Sequence, residues 1–273
     1  MSYVHTLEIT TVSRCSINCT YCPQDRLRAA YTGAHRLSFD HFCRCIESVP
    51  RDVRIHFSGF VEPWLNEACT AMLARALGTG HRVAIYTTLQ GMKNADGVTY
   101  LLRKHQAQVD VICIHLPDTA GNMRGFEDSV EYSLSVECFR GLERTTKLPI
   151  EWMTMGATET HASRLNAWEP NDRAGSLGLV QLGGRSTPPR TQALGPIACS
   201  YTDTYTHNVM LPNGDVVLCC NDYNLRHRLG NLLTQSWEEI VNGPEMQRIK
   251  AENAKADGET ICRKCNGAMP CAS

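Results

Sequence analysis

Residues 7–22 run Leu7-Glu-Ile-Thr-Thr-Val-Ser-Arg-Cys15-Ser-Ile-Asn-Cys19-Thr-Tyr-Cys22. The first half is rich in β-branched residues and predicts a strand over Leu7–Ser13. The second half is a loop carrying three thiols in a C-x3-C-x2-C spacing. Three thiolates can hold three irons of a [4Fe–4S] cluster and leave the fourth iron open, the arrangement of a catalytic centre rather than a closed structural one. Half of a zinc site is the other reading. Zinc knuckles usually pair cysteines as C-x2-C and need a fourth ligand nearby, and Asn18, Asp25 and His35 are poor or distant candidates.

Beyond this stretch the chain alternates strand and helix. Val53–Ser58 reads as a second strand stopped by Gly59. Asn66 is expected to cap a helix over Glu67–Leu77, ended by Gly78 and Gly80. Arg82–Thr87, Val109–His115 and Ile150–Met155 read as further strands, with a helix over Val98–His105 and a sixth strand near Leu177–Leu182. Such alternation implies an α/β fold with a parallel sheet, open or closed as a barrel. Candidate site residues gather at the carboxyl ends of the strands, where such folds place their chemistry. They are Gly59, Phe60 and Glu62-Pro63 after the second strand, Thr87 and Thr88 after the third, and His115 and Asp118 after the fourth.

The pattern breaks at Gly183-Gly-Arg-Ser-Thr-Pro-Pro-Arg190, which reads as a linker. It divides a first domain, 1–183, from a second, 184–273. In the second, Thr206–Leu211 and Val216–Cys219 flank Pro212-Asn-Gly-Asp215, where Asn213-Gly214 is expected to supply the positive-φ residues of a hairpin. Ser236 opens a helix, with Glu239 completing a capping box.

The chain has 273 residues, 14 cysteines, 20% charged residues and a net charge of −1. That balance argues against a general electrostatic grip on nucleic acid or on an anionic membrane. No apolar run has the length of a membrane span, and the first residues lack the basic and apolar stretches of a secretory signal. A cytoplasmic location is expected, where thiols stay reduced unless they bind metal or do redox chemistry. Cys43, Cys45, Cys69, Cys113 and Cys138 are expected as small buried apolar residues. The last third holds a second set: Cys199, then Gly214-x4-Cys219 with Cys220 beside it, then Cys262-x2-Cys265-x5-Cys271. A zinc ribbon or an iron–sulfur cluster would suit these thiols.

Taken together, these motifs resemble the radical S-adenosylmethionine (SAM) enzymes that carry a C-terminal twitch or SPASM auxiliary domain. The resemblance implies a partial (β/α)6 barrel followed by a small α+β twitch/SPASM-like domain with a β-hairpin. It implies a SAM-binding [4Fe–4S] cluster on Cys15, Cys19 and Cys22, with Tyr21 as the aromatic before the last cysteine. Ser58-Gly59-Phe60-Val61-Glu62-Pro63 resembles the family's Gly-Gly-Glu-Pro turn, with Val61 where glycine is common; Glu62 would accept the SAM amino group. Thr87, Thr88, His115 and Asp118 match positions that line the SAM site. The twitch form implies one auxiliary [4Fe–4S] cluster on Cys199, Cys219, Cys262 and Cys265, with Cys220 and Cys271 as possible substitutes. The full SPASM pattern is not expected, because the chain ends two residues after Cys271.

Asn171-Asp-Arg173-Ala-Gly175 resembles a substrate-facing stretch of twitch dehydrogenases, which would make Arg173 a substrate contact. The expected activity is oxidation of an alcohol, sugar- or cyclitol-like, to a ketone, with a flavodoxin or ferredoxin-type electron donor. A peptide-modifying maturase is the alternative; the short stretch before Cys15 is expected to leave no room for a leader-binding domain. A non-catalytic zinc-binding module is the reading from another class.

Overall fold

The computed structural model describes residues 5–154, 192–202, 205–265 and 267–271. Five strands alternate with helices in the first part: β1 (Thr6–Ile9), β2 (Arg54–Phe57), β3 (Val83–Thr87), β4 (Val109–Leu116) and β5 (Ile150–Thr154). Between them lie α1 (Gln24–Ala30), α2 (Phe39–Glu47), α3 (Cys69–Gly78), α4 (Ala95–Lys104) and α5 (Val130–Thr145). All five strands pair in parallel with their neighbours. The helices cover one face of the sheet. Leu7, Ile9, Ile55, Phe57, Val83, Ile85, Ile112 and Ile114 point to that face and are buried in a common core with Phe42, Leu73, Val98 and Phe139.

Alternation along the strands sends Glu8, His56, Tyr86, Cys113, His115 and Met153 to the other face. Two of them already meet there, His56 and Tyr86, with ring centroids 5.7 Å apart. This is the inner face of the curved sheet; Glu8, His56 and His115 make part of it polar, while Cys113 and Met153 form an apolar patch with Tyr21.

The C-terminal part continues the same sheet. After β6 (Ile197–Cys199), which lies in a separate sheet, come the strands that continue the main one: β7 (His207–Met210), β8 (Asp215–Val217) and β9 (Arg228–Asn231). Strand β7 lies parallel to β1, with His207 opposite Thr6 and Val209 opposite Glu8. The eight-stranded order is β5-β4-β3-β2-β1-β7-β8-β9. Helices α6 (Trp237–Val241) and α7 (Pro244–Ala254) follow, then a short 3-10 turn at Ile261–Lys264 and β10 (Ala268–Pro270), which pairs antiparallel with β6.

Several local expectations shift. Strand β1 ends at Ile9, because Thr10 donates its amide to Met210 and Thr11 turns its hydroxyl to the Pro63 carbonyl. Helix α3 starts at Cys69 rather than at residue 67. Asn66 ties Thr11 and Leu37 together through its amide nitrogen and caps only Ala68. In the β7–β8 hairpin only Gly214 takes positive φ, +84°; Asn213 instead bonds to the Asp215 side chain and amide, which makes a longer loop closed from Leu211 to Asp215. The capping box at Ser236 and Glu239 forms as read. Of the five cysteines expected to be buried, Cys45, Cys69 and Cys113 are; Cys43 and Cys138 are half-buried, and Cys138 donates to Asp96. The sixth strand near 177–182, the linker and the division at 183–184 lie outside the described residues. Among the described residues no helix is long and apolar enough to cross a membrane.

Candidate active site

The cysteine loop follows β1 at the carboxyl end of the sheet and is clamped by the segment after β4. Thr20 donates its amide to the Asn122 carbonyl at 2.8 Å and its hydroxyl to the Asn122 side chain at 2.5 Å; Gly125 donates to Ile17 at 2.8 Å. A side chain at Gly125 would run into the Ser16 carbonyl, 2.0 Å from where its Cβ would stand, so close approach here requires glycine. Asp118 is buried and holds the clamp, accepting from the Asn122 amide and side chain at 3.1 and 2.7 Å.

Cys15 and Cys19 lie within electrostatic reach of each other and of Cys22. Burial pushes Cys15 up to about 11, against amides of Glu62 and Ile17 that donate to its sulfur. Burial likewise pushes Cys19 up to about 12, with the Tyr21 hydroxyl donating to it in opposition. Cys22 meets Gln24 Nε2 at 3.4 Å and Tyr223 Oη at 3.5 Å. As free thiols Cys15 and Cys19 hold their protons, and metal binding removes them. A ring of N–H and O–H donors around each sulfur suits thiolate ligands, because hydrogen bonds to the sulfurs stabilise their charge. Among the described residues no three His, Cys, Asp or Glu side chains group as ligands of one metal ion. A four-iron cluster takes one thiolate at each of several irons, so its ligands stand around a cage. The cysteine loop fits that group.

Gly59 opens the adjoining turn with φ +75°, and a Cβ there would meet Thr10 Oγ1 at 2.4 Å. Its amide and the Ser58 hydroxyl donate to Glu8 Oε2 at 3.0 and 3.1 Å. Phe60 is buried, with its carbonyl bonded by Gln24. Glu62 follows, 5% exposed. Its Oε1 accepts from the Trp64 amide at 3.2 Å and the Thr87 hydroxyl at 2.7 Å. Its Oε2 accepts from the amide and hydroxyl of Thr88 at 2.6 and 2.8 Å. Burial raises its pKa, and these four bonds work against the rise. The expected neighbours Thr87 and Thr88 thus serve first to orient Glu62. His115 stands half-buried on the inner face of β4, opposite Met153 of β5.

The sequence reading missed Glu8. Its Oε1 lies 3.2 Å from His207 Nε2, and its side chain is 8% exposed. That buried His207 nitrogen makes no hydrogen bond, so the contact is electrostatic. His207 meets His56 edge-on at 5.2 Å, and Cys220 also bonds to Glu8. Burial and the nearby charges of His207 and Arg54 push His56 down to about 3, so its ring is neutral. The signal in the sequence was an acidic residue at an inward position of a strand otherwise lined with apolar and threonine side chains.

The second thiol set is assembled by the β6–β10 pair and the loops after β8 and α7. Cys219 senses Cys262 and Cys265, and Cys262 senses Cys265 and Cys199. Burial raises Cys219 and lifts Cys262 to about 11, opposed at Cys262 by bonds from Asn253 and Thr260. Cys265 accepts from the Gly267 amide at 3.3 Å and from Asn221 at 3.6 Å. Cys220 turns away to Glu8, whereas the exposed Cys271 stays within electrostatic reach of Tyr205, as do Cys199 and Cys262. The donor-lined thiols fit a second cluster by the same test as the first. Arg173 lies outside the described residues.

The fold is the radical SAM partial barrel extended by a SPASM-type region with its own small antiparallel sheet. Residues 199–266 match SPASM, the iron-sulfur cluster-binding domain. The chain is similar to BtrN in its complex with AdoMet and 2-DOIA, at TM-score 0.58 and 14% identity, covering 98% of this chain and 93% of that one. It is similar to anSMEcpe with bound AdoMet, at TM-score 0.55 and 12% identity, covering 96% and 86%. It is also similar to Streptococcus suis SuiB bound to precursor peptide SuiA, at TM-score 0.58 and 12% identity, covering 97% of this chain and 70% of that one. Among curated proteins none matches this chain in sequence.

Proposed function

We propose that the chain is a radical SAM oxidoreductase that oxidises a hydroxylated small molecule to a ketone. The observation that carries this is the position of Glu8. It bonds Gly59 in the turn beside the first cysteine set and Cys220, the neighbour of Cys219 in the second, and it faces two histidines on the inner face of the sheet. With AdoMet bound, the first cluster would supply a 5′-deoxyadenosyl radical and the second would take up the electron released by the substrate. Cys15, Cys19 and Cys22 would hold the first cluster; Cys199, Cys219, Cys262 and Cys265 would hold the second.

The chain's own residues supply the rest. Glu62 would accept from the AdoMet amino group, with Thr87 and Thr88 fixing its two oxygens. Its four acceptor positions are filled by its own donors, so an amino N–H would displace one of them, most readily a threonine hydroxyl, which can turn. Glu8 receives the proton of the substrate hydroxyl at Oε1, with His207 beside it. Arg173 orients that hydroxyl, a role suited to its fixed fork of donors. A flavodoxin or ferredoxin-type protein supplies electrons.

The second reading is a peptide maturase, favoured by the likeness to anSMEcpe, also known in complex with AdoMet and the Kp18Cys peptide, and to SuiB with its precursor peptide. A panel of polyols, aminocyclitols and peptides separates the two. Under the first reading, only hydroxylated small molecules raise 5′-deoxyadenosine formation above the uncoupled level. Arg173→Lys is then expected to lower product formation about 10²–10³-fold, with uncoupled 5′-deoxyadenosine release unchanged. Stimulation by peptides alone would favour the maturase.

A further inference from the structure

Tyr223 lies four residues after Cys219, in the C-terminal region, yet its hydroxyl is 3.5 Å from Cys22 Sγ in the first cysteine set. The ring is buried, 8% exposed, and packs edge-on against Phe60 at 4.7 Å. Phe60 is in turn bonded through its carbonyl to Gln24, the other donor to Cys22. The turn that presents Tyr223 is closed by Asp222, which accepts from the amides of Arg226 and His227 at 2.9 and 2.8 Å and donates its own amide to Cys219. One short segment therefore carries a thiol of the second set and a hydroxyl against the first.

We propose that Tyr223 is a positioning residue that raises the reduction potential of the cluster held by Cys15, Cys19 and Cys22, through a hydrogen bond from its hydroxyl to the Cys22 sulfur. The inference rests on the radical SAM reading of that loop. A free thiol and a phenol can each donate, but a ligating thiolate has no proton, so in the loaded protein the phenol donates. Reduction adds negative charge to the cluster and its sulfurs. A donor at a ligating sulfur therefore stabilises the reduced form more than the oxidised one. Burial strengthens the effect, because no water replaces the lost donor.

The test is a potentiometric titration of the anaerobically reconstituted protein, followed by the EPR signal of the first cluster, identified by its change on adding AdoMet. Tyr223→Phe removes one oxygen and keeps the packing on Phe60. Its midpoint potential is expected to fall, by about tenfold in the reduction equilibrium, or ~59 mV for one electron. Tyr100→Phe, at an exposed position, is expected to leave the potential unchanged. Should Tyr223→Phe fail to fold or load, 3,5-difluorotyrosine at position 223 gives the reverse test: a stronger donor in the same shape, expected to raise the potential. An unchanged potential in loaded Tyr223→Phe protein, or no rise with difluorotyrosine, would overturn this proposal alone. A wild-type protein with no AdoMet-responsive cluster would overturn it together with the reading it rests on.

Discussion

At the scale of single residues, His56 shows what a polar inner face costs the fold. Its ring is buried between Tyr86 and His207, near Arg54 and Glu8, and its pKa is pushed down to about 3 by burial, then by His207 and Arg54. Between pH 3 and its ordinary value near 6.5, the unfolded chain binds a proton that the folded chain refuses. Stability therefore rises with pH across that window and is lost as the pH falls through it, by up to about 1.4 kcal/mol per pH unit. Chemical denaturation at stepped pH is expected to show this slope, and His56→Gln to flatten it. An unchanged slope in the variant would mean that His56 is solvated. Glu62 was legible in the sequence because the turn around it has a local signature. Glu8 was not, since its partners Ser58, His207 and Cys220 come from other strands and loops far along the chain.

Among the elements, the loop bearing Cys262 and Cys265 depends on one residue between them. Arg263 is 1% exposed, and among the described residues no carboxylate pairs with it. Its guanidinium donates instead to the carbonyls of Ala193, Gly195, Glu252 and Lys255 at 3.0, 2.9, 2.8 and 2.6 Å, with Ala256 at 3.5 Å. These carbonyls belong to the end of α7 and to the segment leading into β6, so one planar cation ties both to the cysteine turn. Lysine cannot serve so many acceptors from one position. Arg263→Lys is expected to lose the second cluster while keeping the first, dropping bound iron from about eight to about four per chain. Full iron content in the variant would show that the loop holds without this tie. The spacing C-x2-C marked the loop in the sequence, but nothing local marked Arg263. By contrast the capping box at Ser236 was readable, because both of its partners lie within one helical turn.

Across the whole molecule, the pairing of β7 with β1 joins the C-terminal region to the barrel sheet. It sets His207 beside Glu8 and presents the β8 loop, with Cys219, Cys220 and Tyr223, toward the mouth. The alternation of strands and helices was visible from periodicity. The parallel joining of a distant hairpin strand to β1 was not, because no local pattern encodes which edge a strand finds. Radical SAM chemistry at this site would show as 5′-deoxyadenosine formed from AdoMet by the anaerobically reconstituted, chemically reduced protein. The wild type is expected to form it, the protein with Cys15, Cys19 and Cys22 replaced by alanine to form none, and the protein with Cys262 and Cys265 replaced instead to retain it. Reconstituted wild-type protein that binds iron yet releases no 5′-deoxyadenosine, or equal release by the variant lacking the first three cysteines, would contradict radical SAM chemistry at this site.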